Sequence, residues 1–453
     1  MAVTVPDLPF DFIATDVAAG TLGFVFKSTK DAYYYNGTTV TKITDADYPA
    51  TTVRGICYLD GTYYVMDPNG QIFGSGLNDP KVWTALNKLV AQMEPDGGVA
   101  LSRLLNLIVA FGVYTTEFFY DAGNPAPGSP LSPYTSAMLS IGCASAASVA
   151  QTNNQLFFLG VTKQKGRQVV SLTGTTPQII STPSVERIIN SDDLASVYSY
   201  CVKIAGHTFY ILTLGTSAIT LACDISTGDW KEWTSLTAKT PKSVTSLTYS
   251  ISTELCTATI TSHTHFDGDP VVFAGAVQTE YNGTFNVTYV SANVVQYKPA
   301  SAPSILTATG TITATGYSSG PFIGQFYAGY GNVELIQDSL GNLYVLDIGS
   351  YQDNGIPIDV HIRTPLIDGD TNAKKFFSSV ELIGDTAATT VLARYSGDDY
   401  RTWSSYRKVD MSLKRAILKR LGHDRRRSFE FRHTDNTPLR LAALEINLEK
   451  GNN

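Results

Sequence analysis

Apolar and polar positions along this chain fall into short runs separated by turn residues. Aromatic and β-branched side chains recur in stretches of four to seven, bounded by Gly, Asn or Asp. Residues 55–76, 106–123, 153–160, 166–174, 206–214, 218–233 and 333–352 show the pattern most clearly. Such side chains pack well on a pleated surface, so each run predicts a strand. The units resemble one another: a strand, a turn carrying Asp or Asn with Gly, then an aromatic strand. "VMDPNGQIF", "ACDISTGDWKEW" and "LIQDSLGNLYVL" are three examples, and residues 25–43 add two runs around Asn36-Gly37. Asn-Gly pairs accept the positive φ of tight hairpins. Four to six hairpin units, irregularly spaced, predict an all-β fold, a β-propeller with irregular blades. A pair of β-sandwiches is the competing architecture.

Few stretches depart from this rhythm. Residues 81–93 place Trp83, Leu86, Leu89 and Val90 at spacings of three and four, which predicts a short helix. Residues 183–190 read as a helix opened by proline. Residues 257–319 hold twelve Thr and a single basic residue, Lys298. They predict a small β domain inserted into the main body, since surface loops tolerate insertions cheaply. Its flat, uncharged strands would be adhesive edges unless paired, so contact with a neighbouring subunit is expected. From about 373 to the end, alternating strands return. In "RRSFEFR", Phe429 and Phe431 share one face while Glu430 and Arg432 share the other, which predicts a sheet with one basic face. The expected organisation is a propeller over 1–256, the insertion over 257–319, a closing part over 320–372 and a C-terminal β region over 373–453.

Composition sharpens this picture. Of 453 residues, 43% are hydrophobic and only 16% charged, which excludes general disorder and long coiled coils. The formal net charge of -7 argues against a general nucleic-acid binder. Charge is unevenly placed, however. Residues 401–432 hold eleven Lys and Arg against Asp410, Asp424 and Glu430. The five cysteines (Cys57, Cys143, Cys201, Cys223 and Cys256) are widely spaced within apolar runs, as buried free thiols of a reducing compartment would be. The first residues show no secretory signal. The most apolar stretch, 104–113, is about half the length of a membrane helix, so no membrane insertion is expected.

Candidate chemistry is sparse. His263 and His265, with Asp267 and Asp269 near, form the one close histidine pair, but no third histidine ligand stands nearby. His207, opening an aromatic strand, reads as a structural histidine. The oxygen-rich "DPNGQ", "DISTGDW" and "DGDTNAKK" do not match a twelve-residue calcium loop and read as turns. No carboxylate pair, nucleophile elbow or phosphate-binding loop stands out. No catalytic, cofactor-binding or metal site is therefore expected. "YSGDDYRTW" at 395–403 resembles the Asp-box hairpin through Ser396, Asp398, Thr402 and Trp403, with Tyr400 in place of the usual glycine. That box is a folding unit whose side chains bond their own turn. The basic segment supplies the candidate contacts with a protein partner or with DNA: Lys414, Arg415, Lys419, Arg420, Arg425, Arg426 and Arg427. Aromatic interleaving is thin there, so stacking on single strands is not expected.

Several stretches, in order, resemble one family. They are 56–86, 110–128, 141–160, 180–189, 206–213, 224–233, 343–365 and 395–432. Together they are similar to the packaged-DNA stabilisation proteins of short-tailed phages, over nearly the whole chain apart from the insertion. The insertion resembles a small β module of other phage structural proteins. The resemblance implies a non-enzymatic virion protein of the tail hub or nozzle, made in the host cytoplasm and needing no cofactor. It implies a ring, a hexamer, beneath the portal and its adaptor ring. Tail fibres or spikes attach nearby, a plug or needle closes the channel, and DNA passes in transit with non-specific contacts. A receptor- or fibre-docking propeller is the alternative, with Trp83, Trp230 and Trp233 as sugar platforms rather than blade core. A glycan hydrolase comes third. DNA must slide, so residues 414–427 are expected against a partner ring rather than in the lumen.

Overall fold

A computed structural model describes residues 11–18, 21–91, 94, 96–152, 154–164, 166–330 and 333–451. The N-terminal stretch read above for a signal lies almost wholly outside the described residues. The chain divides into two units. One comprises residues up to Trp233 together with Ile323–Leu346; the other comprises Thr234–Phe322 and the chain from Asp347 onward.

In the first unit six antiparallel sheets follow one another along the described chain. The first has strands Asp11–Ala18, Thr21–Lys27, Ala32–Tyr35 and Val40–Lys42; the second Cys57–Leu59, Thr62–Met66, Gln71–Gly76 and Asp79–Val90. The third runs from Gly98–Leu104 through Leu107–Gly112 and Thr116–Asp121 to Leu131–Pro133. Gln155–Val161 and Gln168–Thr173 centre the fourth, and Val197–Ile204, His207–Leu214 and Ile219–Asp224 build the fifth. The sixth is a three-stranded sheet of Phe326–Tyr330, Val333–Gln337 and Leu343–Val345. The architecture is all-β and propeller-like.

Period-two alternation explains why the central strands are buried on both sides. Tyr63 and Val65 pack with Val25 and Ala32 of the first sheet, whereas Tyr64 and Met66 face Leu101, Ile108 and Phe119 of the third. Val109, Phe111 and Phe118 turn the other way, onto Leu156 and Phe158 of the fourth. Phe157, Leu159 and Val169 meet Tyr210 and Leu212 of the fifth. Tyr200, Val202 and Ile211 then meet Tyr327 of the sixth. The second to fifth sheets are thus each held between their predecessor and their successor in sequence.

The turns repeat one device. Asp67, Asp224 and Asp338 each accept amides of their own turn through a carboxylate oxygen: Asn69 at 2.9 Å and Gln71 at 2.8 Å, Ser226 at 2.9 Å, and Leu340 and Asn342 at 2.9 Å. The oxygen-rich loops are therefore occupied by turn hydrogen bonds. Asp60-Gly61 closes the hairpin between Leu59 and Thr62 with φ of 46° and 90°. Gly55 is required for a different reason: a Cβ there would stand 1.7 Å from the Leu101 carbonyl oxygen.

One element differs from expectation. The helix expected over 81–93 is a strand, Asp79–Val90, paired with Gln71–Gly76. Trp83 is buried but Leu86 is exposed, so no helical apolar stripe exists. Register shifts between Phe73 and Ser75, and between Ser75 and Gly76, interrupt the pairing. Such bulges break the strict alternation and leave apolar spacings that mimic a helix. The helix expected at 183–190 is present as Pro183–Ser191, capped by Thr182 and burying Val185 and Ile189.

Besides a two-stranded hairpin of Gln352–Asp353 and Ile356–Pro357, the described part of the second unit contains two larger β structures. In one, a four-stranded sheet of Lys242–Ser243, Gly310–Thr315, Pro270–Ala276 and Gly283–Asn286 lies over another of Ser246–Ser250, Leu255–Thr259, Val294–Tyr297 and Thr288–Ser291. Phe273, Tyr297 and Phe285 stack between them, with centroids 4.4 and 4.5 Å apart. Its strands thus begin upstream of residue 257, because pairing rather than threonine content defines it. In the other, Val360–Arg363, Ser428–His433, Thr390–Ser396 and Arg407–Asp410 form one sheet; Ala416–Lys419, Lys375–Gly384, His423–Asp424 and Leu441–Lys450 form the next. Phe377, Val380, Phe429 and Phe431 lie in their shared core.

Candidate interaction surface of the C-terminal region

The strand Ser428–His433 sits between Val360–Arg363 and Thr390–Ser396, so both of its faces are covered. Phe429 and Phe431 enter the core as alternation requires. The opposite face is not the basic surface expected from sequence. Glu430 is fully buried and accepts from Arg363 at 3.0 Å, from His361 at 3.2 Å and from Arg394. Arg432 is buried as well and holds Asp359 through two bonds of 2.8 Å and Asp269 at 3.1 Å. The physical reason is pairing: an isolated charge is too costly to bury, so the face carries both signs in near balance.

Burial pushes the Glu430 carboxyl up, but hydrogen bonds from His361 and Arg394 outweigh it and hold the group well below the usual carboxylate range. Asp359 is likewise depressed: burial opposes this, and His361 and Arg432 prevail. His361 is raised, because bonds to Asp359 and Glu430 overcome its own desolvation. Arg394 lies 4.9 Å from the centroid of Trp403 and 4.4 Å from that of Tyr406. A cleft of about 630 Å³ opens beside this network, lined by Phe266, Asp267, Tyr289, His361 and Tyr406 among others.

The Asp-box resemblance has a geometric counterpart. The Ser396 hydroxyl donates to Asp398 at 2.8 Å and accepts the Tyr400 amide at 3.1 Å. Asp398 accepts the Thr402 amide at 2.8 Å and its hydroxyl at 2.6 Å. These bonds, with the Thr402 hydroxyl foremost, bring the Asp398 carboxyl down to about 2. Asp399 and Tyr400 both adopt positive φ, 62° and 68°, where the usual box has glycine.

The seven basic candidates differ in exposure and pairing. Lys414, Lys419, Arg420 and Arg425 are exposed. Arg415 grips Glu381 with bonds of 2.5 to 3.1 Å, and Arg426 pairs with Asp399. Arg427 is 3% exposed; its guanidinium lies 4.6 Å from the centroid of Phe377 and 4.3 Å from that of Tyr395, and it donates to the Leu421 carbonyl. Arg427 is thus a core cation, leaving six residues at the surface. What sequence reasoning missed is the paired network. Its signal was the "DVHIR" alternation, which puts Asp359, His361 and Arg363 on one face of a strand beside Glu430 and Arg432.

No group of three His, Cys, Asp or Glu suited to a metal occurs among the described residues. His263 and His265 are buried and stacked 5.3 Å apart, and neither Nε2 has a hydrogen-bond partner among the described residues. Burial, with His263 beside it, brings His265 down to about 4. His207 lies 2.7 Å from Asp224 in a turn contact. All five cysteines are free and buried. Burial pushes the Cys143 thiol up to about 11 and that of Cys201 to about 12, far from a neutral-pH nucleophile. Trp83 and Trp230 use their indole N–H groups on the Pro80 and Ile180 carbonyls at 2.8 Å, and Trp233 packs on Phe209. No helix among the described residues is long and apolar enough to cross a membrane.

Serial sheets, turn-locked aspartates and a paired ionic face define an all-β, propeller-like protein. The family model described as "Bacteriophage P22 Gp10, beta-propeller" matches residues 15–249, and the chain belongs to this family of phage structural propellers. The match runs from within the first sheet into the fifth and reaches the start of the inserted β structure. No curated protein matches the chain. Among solved structures, the computationally designed Ika8 protein is 11% identical over 74% of this chain and 82% of its own, with a TM-score of 0.35. BamB from Moraxella catarrhalis is 12% identical over 74% and 98%, with a TM-score of 0.32. The WD40 β-propeller domain of Doa1 is 10% identical over 67% and 91%, also with a TM-score of 0.32. No shared fold follows from scores of this size. Family membership gives the chain a structural, virion-associated role.

Proposed function

We propose that the chain is a tail hub or nozzle subunit that helps retain packaged DNA and continues the ejection channel. In this reading the six sheets of the first unit close as a propeller. Copies then form a ring, a hexamer, below the portal and adaptor, with fibres or spikes and a plug or needle attached. The observation that carries the reading is the family match over 15–249. The serial packing of the sheets is compatible with closure, because the second to fifth bury both faces against their sequence neighbours. In the same reading, the exposed Lys414, Lys419, Arg420 and Arg425 face a partner protein. A lumen dense in such cations would hold the DNA it must release. The test is mass spectrometry of purified virions followed by electron microscopy of their tails. The expected result is this chain in a ring at the portal vertex; its absence from mature virions would sink the proposal.

A further inference from the structure

A cavity of about 780 Å³ lies in the first unit, lined by residues of several of its sheets and of the segments joining them. Asp11 comes from the first sheet, Arg54 and Cys57 from the second and the segment leading to it, Ser102 and Arg103 from the third, and Gln151 from the fourth. The charges here are unequal in number. Asp11 is already engaged on both oxygens: Oδ1 by Arg54 at 3.3 Å, Oδ2 by the Gly55 amide at 2.8 Å and by the buried Lys27 at 3.3 Å. Lys27 and Arg54 both contact the Asp11 carboxylate, and Arg103 lines the same cavity, where Asp11 is the one carboxylate among the lining residues, in a chain whose net charge is -7. Arg103 is also held in place. Its Nε donates to the Leu105 carbonyl and its Nη1 to that of Tyr58, each at 2.7 Å. Carbonyls fix a guanidinium without neutralising it. Arg54 spends one nitrogen on Asp11, so its planar fork keeps donors suited to a second oxyanion. Ser102 and Gln151 add polar groups to the same wall.

We propose that this cavity is a binding site for a small oxyanion-bearing ligand, a carboxylate or phosphate compound, with Arg54 and Arg103 as its cationic contacts. An anion there is attracted by the Arg54 and Arg103 guanidinium groups that line the same cavity. The inference does not depend on the virion role, and failure of either leaves the other standing.

The test is isothermal titration of the full chain with inorganic phosphate and with citrate, at ionic strength matched by sodium chloride. Saturable one-site binding of at least one of them is expected. Binding of phosphate alone points to a phosphate ester, of citrate alone to a carboxylate, and of both to the shared oxyanion chemistry. Arg103→Gln weakens binding by roughly tenfold or more, as loss of one charged contact should. Gln151→Glu, at an exposed position that does not challenge the fold, weakens it similarly by adding a negative charge. Lys419→Gln, in the other unit, leaves it unchanged. Absence of saturable binding by both anions, or equal affinity in all four proteins, overturns the proposal.

Discussion

The first unit and the C-terminal region of the second solve the same problem in different ways. Each must cover both faces of its central strands. In the first unit both faces are apolar: Phe157 and Phe158, neighbours on one strand, enter two separate cores. In the C-terminal region one face is apolar and the other ionic: Phe429 and Phe431 enter a core, while Glu430 and Arg432 enter a buried network. Apolar faces are non-directional and tolerate variation in their neighbours. A buried ionic face is specific and fragile, because losing one partner leaves the rest uncompensated. The first design suits a repeated stack of sheets, and the second suits one defined junction.

The largest expected effect breaks the ionic face. Glu430→Ala leaves Arg394 and His361 facing an emptied site and lowers the stability of the C-terminal region by about 3–5 kcal/mol. Denaturant unfolding followed by hydrogen exchange should place the loss in residues 360–433 and leave the first unit protected. Phe158→Ala is the apolar counterpart. Phe158 is fully buried with its ring 4.8 Å from that of Phe111, and its truncation costs about 3–5 kcal/mol, at the lower end if the site collapses. Its loss should appear in the third and fourth sheets and change little with salt. If both variants lose protection everywhere equally, the contrast between the regions fails.

The pH response sharpens the comparison further. The folded pKa of His265 is depressed to about 4, so the unfolded chain takes up a proton first on acidification. Stability held near neutrality by the neutral ring is therefore lost as pH falls from about 6.5 to about 4. Thermal melts across that window should show the second unit weakening, with the slope reduced in His265→Gln. Glu430 and Asp359, also depressed, contribute stability that is present above ordinary carboxylate pKa values and disappears only in stronger acid. His361, raised, acts in the opposite sense: its contribution is present below about 6.5 and fades as pH rises through its folded value.

Smaller effects are expected at the turns and surface. Asp398→Ala removes the acceptor of the Thr402 amide and should abolish its exchange protection while the sheet stays intact. Joint replacement of Lys414, Lys419, Arg420 and Arg425 by Gln should change stability by less than about 0.5 kcal/mol per site. In the proposed reading it abolishes incorporation into virions, which quantitative mass spectrometry would detect.

Much of this was legible in sequence. Alternating aromatic runs and Asp-Gly or Asn-Gly turns are local signals, and the chain obeys them: Asp67, Asp224 and Asp338 organise their own turns without help from distant residues. The Asp-box hydrogen bonds among Ser396, Asp398 and Thr402 are equally local. The strand Asp79–Val90 was misread because its bulges answer to the partner strand, which a single-chain periodicity cannot reveal. Arg427 was placed among the surface cations for a related reason. Sequence counts charges, whereas exposure depends on what folds over them, and Arg427 lies over Phe377 and Tyr395.

The amino-acid sequence by itself determined the strand-rich class, the turns and which side chains share a face, because these follow from the geometry of one short segment. Tertiary structure decided which faces meet. It brought Asp269 and Asp359 to Arg432, and Asp11, Arg54 and Arg103 to one cavity, across separations that no local periodicity encodes. The reason is energetic: a charge can be buried only where its partner arrives, and that arrival is a property of the folded chain.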